Sequence, residues 1–241
     1  MELLSLLTPG PTGWGDELLI GLGMTLGLAL ATFPVSIMLS FLIHRARNSR
    51  RRPVRYLAQM HVSVFKSLPE ILTLLIIYYQ SQVVISWVAE YAGFDSTLSI
   101  SPFLAGLIAL SLVISAYGSE VVRGALQAIG KGQVEAAQAL GLSGFHCFWK
   151  VILPQFWRHA LPGLGNLWVI LLKDTSLVSV IALSDLTHVA ALAINTTREP
   201  FFFYLVIAAI YISLVILSSW IQKRLERRAT RGVVAGGRAH A

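Results

Sequence analysis

Lys66, Glu70, Lys173, Asp174 and Asp185 stand within or beside stretches of this chain that otherwise carry almost no charge. A charge at mid-depth in hydrocarbon costs about 2.5–3.5 kcal/mol on insertion scales, so each residue needs a reason to be there. The chemistry open to them is ion pairing, or capture of a polar or charged solute. Lys66 and Glu70 are four residues apart and on an unbroken helix would share a face and could pair. Pro69 between them loosens that helix and could turn backbone carbonyls toward a cavity. Lys173 and Asp174 are adjacent, so they point about 100° apart and cannot both serve one partner. One of them faces a pathway or a partner subunit, unless it snorkels to a headgroup.

Other chemistries find no support in the residues. No Ser/His/Asp or His/Glu constellation suggests hydrolysis. His61, His146, His159 and His188 are scattered without metal-ligand spacing, so no metal site is expected. Gly124, Gly130, Lys131 and Gly132 superficially resemble a phosphate loop. That stretch has five residues rather than four between its glycines, and glycine where Ser or Thr is required. No nucleotide site is therefore expected in this chain. Cys147, the single cysteine, excludes an intrachain disulfide.

The elements that must position these residues follow from composition. Of 241 residues, 55% are hydrophobic and only 13% charged, with a mean hydropathy of +0.68. Soluble domains carry about 25% charged residues, so this is an all-α, polytopic membrane chain. Five stretches can each cross roughly 30 Å of hydrocarbon: about 18–43, 56–89, 101–120, 160–183 and 201–221. Gly23 and Gly27 form a GxxxG pair in the first, suited to close helix packing. Glu2 stands where a leader would be basic, so the first span reads as an uncleaved signal.

The net charge of +7 does not indicate nucleic-acid binding, because the basic residues lie in runs between apolar stretches. Sixteen of the nineteen Lys and Arg residues fall in 44–55, in 123–158, or in the tail 223–241, all on one side of the membrane. Glu2, Asp16, Glu17, Glu90, Asp95 and Glu199 fall on the other. The positive-inside rule places the N-terminus outside and the C-terminus in the cytoplasm. The last ten residues, rich in Gly, Ala and Arg, read as a frayed tail.

The segment 123–158 is unusually apolar for a cytoplasmic connection. Its residues Ala125, Ile129 and 134–140 predict an Ala-rich helix, with Gly141 placed for a left-handed C-terminal turn. Ser143 can cap a second helix, on which Phe145, Phe148, Trp149 and Ile152 follow helical spacing. Pro154 marks a stop or a new start. An amphipathic elbow with small residues at its tip suits close approach by another protein. The alternative is an interfacial helix lying on lipid, which Glu135 and the alanines disfavour.

Glu135-Ala136-Ala137, three residues, Gly141, nine residues, then Val151-Ile152-Leu153-Pro154 resembles the EAA motif of ABC importer permeases, with Val151 where isoleucine is usual. The resemblance covers nearly the whole chain. It includes LPEILTLLIIYY in the second span, AYGSEVVRGALQAIGKGQ before the motif, and HALPGLGNLWVILLKDTSLVSVIALSDLT after it. Together these are similar to permeases for polar amino acids, closest to the histidine, arginine and opine branch. Lys66-Ser67-Leu68-Pro69 departs from the Arg-Gly-Thr-Pro of many relatives, which bears on the exact solute rather than on the family.

This resemblance implies a MetI-like type I importer fold in a bacterial inner membrane, and three kinds of partner. A periplasmic solute-binding protein delivers the solute. A homologous permease subunit, identical or different, completes the pathway, and two ATP-binding subunits carry the ATP and Mg that this chain lacks. It also implies that Glu135, Ala136, Ala137 and Gly141 contact the ATPase. Alanines let backbones approach, Gly141 turns the chain, and Glu135 offers a carboxylate. For a cationic amino acid, Asp174 is the first expectation for the solute's charged group, Glu70 the second and Asp185 the third, with Lys66 and Lys173 on the same pathway or balancing the carboxylates. An ion-driven secondary transporter is the alternative, but it would more often show inverted repeats with broken helices, and no internal repeat stands out.

Overall fold

The computed structural model describes residues 2–10, 13–91 and 99–230. Asp95 and the Gly-, Ala- and Arg-rich end of the tail lie outside them. Among the described residues all regular structure is helical. A short α1 (Glu2–Ser5) precedes α2 (Gly15–Arg47), α3 (Arg52–Ser67), α4 (Glu70–Tyr91) and α5 (Pro102–Gln127). The elbow then contains α6 (Lys131–Ala139), α7 (Gly144–Cys147) and a π-helical turn, Phe148–Ile152, which runs into α8 (Leu153–Asp174). A 3₁₀ segment (Thr175–Ile181), α9 (Leu186–Thr197) and α10 (Pro200–Ala229) complete the order. Five helical stretches are long and apolar enough to cross a membrane.

The helices differ from the sequence-based spans in three instructive ways. The stretch 56–89 is not one helix but two, of which only α4 has the length and composition of a span. The ring of Pro69 disfavours helical geometry at the residue before it, and Leu68 is extended, at φ −87° and ψ 140°. The other spans continue beyond their apolar portions: α2 to Arg47, α5 to Gln127, α8 back to Leu153 and α10 to Ala229. Hydropathy registers only the part of a helix that lipid touches. Finally, α9 arises within a region expected to connect spans.

The most extensive helix pairing is between α2 and α5. Along it run small and hydroxylated side chains spaced by about one helical turn: Thr25, Thr32, Ser36 and Ser40 on α2, and Ser111, Ser115 and Ser119 on α5. Hydrophobicity cannot drive helices together in lipid, so close backbone approach is what holds them. Several hydroxyls satisfy themselves locally, Ser36 donating to the Thr32 carbonyl at 2.8 Å and Ser40 to that of Ser36 at 2.7 Å. Gly118 lies so close to Ser40 that an added Cβ would collide with the serine hydroxyl. Gly23 and Gly27, by contrast, are exposed and have nothing within 4 Å of where a Cβ would stand. The tight packing within this chain thus uses the serine and threonine stripes rather than the GxxxG pair.

The two ends of the bundle are fastened differently. At the basic end, Arg47 of α2 bridges to Glu120 of α5 at 2.8 Å. Nearby, Phe41 stacks against Phe156 with ring centroids 5.4 Å apart, and Arg158 donates to the Ala229 carbonyl. At the other end, α9 packs Leu186, Ala190 and Ala193 against Leu18, Phe203 and Ile207. Asp185 makes that helix possible. Its carboxylate oxygens accept from the backbone N–H groups of Thr187 (3.2 Å) and His188 (3.0 Å), an N-terminal cap. The Leu186 N–H meanwhile donates to Thr25 Oγ1 at 3.1 Å. Replacing Asp185 by alanine is expected to cost about 1–2 kcal/mol, lowering the melting temperature of the detergent-solubilised protein by several degrees. An unchanged melting temperature would show that the cap does not hold α9.

Candidate functional site

The elbow presents the first constellation. Helix α6 ends in a complete Schellman turn: Gly141 takes φ +76°, its N–H donates to the Gln138 carbonyl at 2.9 Å, and the Leu142 N–H donates to that of Ala137 at 3.1 Å. Any side chain at Gly141 would be strained there. Ala137 is 4% exposed and faces the protein, whereas Glu135, Ala136 and Gly141 face outward. Of the four residues expected at a partner contact, three are therefore surface-accessible and the fourth seats the helix. A cavity of about 340 Å³ lies beside them, lined by Leu126, Ile129, Val134, Glu135 and Ile152 among others.

Beyond the turn the chain stays apolar and exposed: Leu140 is 82% exposed and Phe145 70%, with Trp149 also on the surface. Ser143 accepts the cap bond from the His146 N–H at 3.5 Å, but α7 lasts only to Cys147. The second helix expected here is thus a single turn that widens into the π-helical Phe148–Ile152 and continues as α8. Pro154 supplies the reason. It has no N–H to give the preceding turn, and its ring presses on the carbonyl four residues back. Gln155 Nε2 donates to the Val151 carbonyl at 3.0 Å, satisfying a group in that disturbed turn.

The second constellation is the pair Glu70 and Asp174. Glu70 opens α4 and Asp174 closes α8, and the 3₁₀ segment that follows Asp174 packs against α4, so the two carboxylates share a region of the bundle with Lys173. Asp174 Oδ2 is buried, and no donor among the described residues reaches it. Two carboxylates from different helices, one with an unsatisfied oxygen, form an arrangement that a cation relieves.

The other expected pathway residues lie elsewhere. Lys66 does not pair with Glu70, because the helix is interrupted between them at Leu68 and Pro69. Its ammonium stands 5.7 Å from the Tyr117 ring centre, at a polar cavity of about 540 Å³ shared with Arg47 and Glu120. Among the described residues the ion pairs are those of Glu120 with Arg47 and Arg123. Asp185 is 0% exposed and both its oxygens cap α9, so its burial has a structural cause. An acid immediately before Leu-Thr-His is a helix-start signal legible in sequence. The Arg47–Glu120 bridge carries no such signal, since its partners are far apart in the chain.

Comparison with known proteins places this architecture. Residues 33–231 match the family described as binding-protein-dependent transport system inner membrane component. The arginine ABC transporter permease protein ArtQ of Escherichia coli (strain K12) is 43% identical over 223 residues, covering 87% of this chain and 93% of that protein. The octopine transport system permease protein OccQ of Rhizobium meliloti is 37% identical over 236 residues, 98% and 100% of the two chains. A crystal structure of an amino acid ABC transporter with histidines superposes with a TM-score of 0.75 at 32% identity, covering 89% and 95%. By its sequence and by the helical arrangement just described, the chain belongs to the family of binding-protein-dependent transport system inner membrane components.

Proposed function

We propose that this chain is the permease subunit of an ATP-driven importer for basic amino acids. The unsatisfied carboxylate of Asp174, held beside Glu70 within the helical bundle, is the observation that carries the basic-solute part of this reading. Its relatives named for arginine and octopine transport point to the same class. A solute ammonium or guanidinium supplies the missing donors and offsets the repulsion between the two acids. Nothing in this role asks the chain to catalyse a reaction. ATP and Mg belong to the motor subunits.

Partners follow from the same reading. Five spans are too few to enclose a gated amino-acid pathway comfortably, so a second permease subunit, of the same or a related sequence, completes it. A periplasmic binding protein meets the acidic end of the bundle, and two ATPase subunits meet the basic end at the elbow. The chain would then lie in a bacterial inner membrane with its N-terminus outside and its C-terminus in the cytoplasm, which the one-sided arginines support. Exposed Glu135, Ala136 and Gly141 form the contact, with Leu140 and Phe145 as apolar anchors.

Two measurements in reconstituted vesicles test these roles. Glu135→Lys and Gly141→Leu should each uncouple ATP hydrolysis from uptake by about tenfold or more, as expected for losing a central interface contact. Both variants should still insert, Glu135→Lys with an unchanged melting temperature and Gly141→Leu with one a few degrees lower from the strained turn. Normal transport by both variants would remove the elbow from the docking surface. Asp174→Asn should weaken apparent affinity for arginine by about tenfold or more, since a charge-assisted bond contributes about 1.5–3 kcal/mol. Unchanged affinity and rate would take Asp174 out of the pathway.

A further inference from the structure

The basic end of α2 contains a second cavity, about 660 Å³, that the translocation reading does not use. One wall is cationic and polar, with Arg45, Asn48 and Arg50. The other is apolar, with Phe41 and Leu42 of α2 and Phe148 from the π-helical turn of the elbow. Phe148, from an element distant in sequence, closes a pocket otherwise lined by residues 41–50, so tertiary packing and not the run of arginines alone shapes it. Asn48 is held in place by bonds from its amide nitrogen to the His44 carbonyl (3.1 Å) and ring (3.2 Å).

Charge bookkeeping singles the pocket out. Arg47, on the same helical turn, is neutralised by Glu120, and Glu120 is in addition taken up by Arg123 at 2.6 Å. Arg45 and Arg50 make no ion pair among the described residues. Two uncompensated guanidiniums thus stand over an apolar floor at the level where the chain leaves the membrane. A free anion would satisfy the arginines but leave Phe41, Leu42 and Phe148 facing water. A zwitterionic lipid would cover the floor but bring no net charge. A ligand with a phosphate head and acyl chains meets both demands, and basic pockets at helix ends on the cytoplasmic side are suited to such headgroups.

We propose that this pocket binds an anionic phospholipid of the cytoplasmic leaflet, with its phosphate on Arg45 and Arg50 and its first acyl carbons on Phe41, Leu42 and Phe148. Because Phe148 belongs to the turn that joins the elbow to α8, the bound lipid would brace the elbow against α2. The proposal rests on the membrane orientation proposed above, with this end of α2 in the cytoplasm, and stands apart from which solute is carried.

Native mass spectrometry of the detergent-purified transporter, titrated with phosphatidylglycerol and separately with phosphatidylcholine, tests it. Phosphatidylglycerol should be retained in preference to phosphatidylcholine. Arg45→Gln/Arg50→Gln should weaken that retention roughly 30-fold, each arginine contributing on the order of a fivefold effect. Arg51→Gln/Arg52→Gln, in the same basic run but outside the pocket, should leave retention within about twofold in a micelle. Phe148→Ala approaches the pocket from its other wall and should also reduce retention, which keeps the test valid if the arginine pair disturbs folding. Equal losses in the two arginine pairs, or equal retention of phosphatidylcholine, would overturn the proposal. So would displacement of the lipid by millimolar inorganic phosphate, which marks a small-anion site, or its expulsion on adding the ATPase subunit, which marks a protein seat.

Discussion

Hydrocarbon offers no hydrogen bonds, and this single constraint shapes the whole chain. Every polar group at membrane depth must be satisfied from within the protein or await a ligand. Most are satisfied. Ser36 and Ser40 of α2 and Ser115 and Ser119 of α5 return their hydroxyls to their own helix backbones, and in doing so keep the surface smooth enough for the two helices to close on each other. Asp185 is satisfied as a helix cap, and Glu120 by two arginines. Buried atoms without a partner among the described residues include the neutral hydroxyls of Thr32, Thr73 and Ser111, whereas the bare Oδ2 of Asp174 belongs to an acid with a second acid, Glu70, in its neighbourhood. Its significance comes from the solvent as much as from the residue, since an exposed carboxylate in water would mean nothing.

The same constraint read in reverse explains the elbow. At the basic end, where water is available, the chain leaves Leu140, Phe145 and Trp149 uncovered on a sharply turned segment. The Schellman turn at Gly141 ends α6 and sets the direction of the chain into α7, and the π-helical turn links α7 without interruption to α8, the helix that ends at Asp174. One continuous element therefore runs from the proposed docking surface to the proposed solute carboxylate. A push at Phe145 would reach Asp174 through α8 rather than through flexible loops. The disturbed turn before Pro154, together with Pro162 inside α8, marks where helical winding along it can change at low cost.

Sequence made some of this legible and hid the rest for identifiable reasons. Five apolar stretches were readable because lipid imposes length and composition together. The left-handed turn at Gly141 was readable because only glycine takes that conformation cheaply. Pro69 signalled disturbance, but whether it would kink a helix or divide it depended on α3 finding a seat for Ala58 and Val62, a tertiary matter. Helix α9 is hard to read because its 12 residues are too few for a span, although Asp185 is a legible start signal. GxxxG in α2 drew attention by pattern, whereas the packing used serine and threonine stripes whose spacing was equally visible. Nothing local to Glu70 or Asp174 tells that two helices bring them together.

The account rests on the elbow being the surface through which a motor subunit acts. Amide hydrogen exchange compares the transporter assembled with its ATPase subunit and the same permease freed of it, both in detergent. The account predicts that assembly slows exchange most strongly over 131–147, the segment holding α6, the Gly141 turn and α7. Unchanged exchange there, with protection appearing at another surface of the basic end, would contradict it.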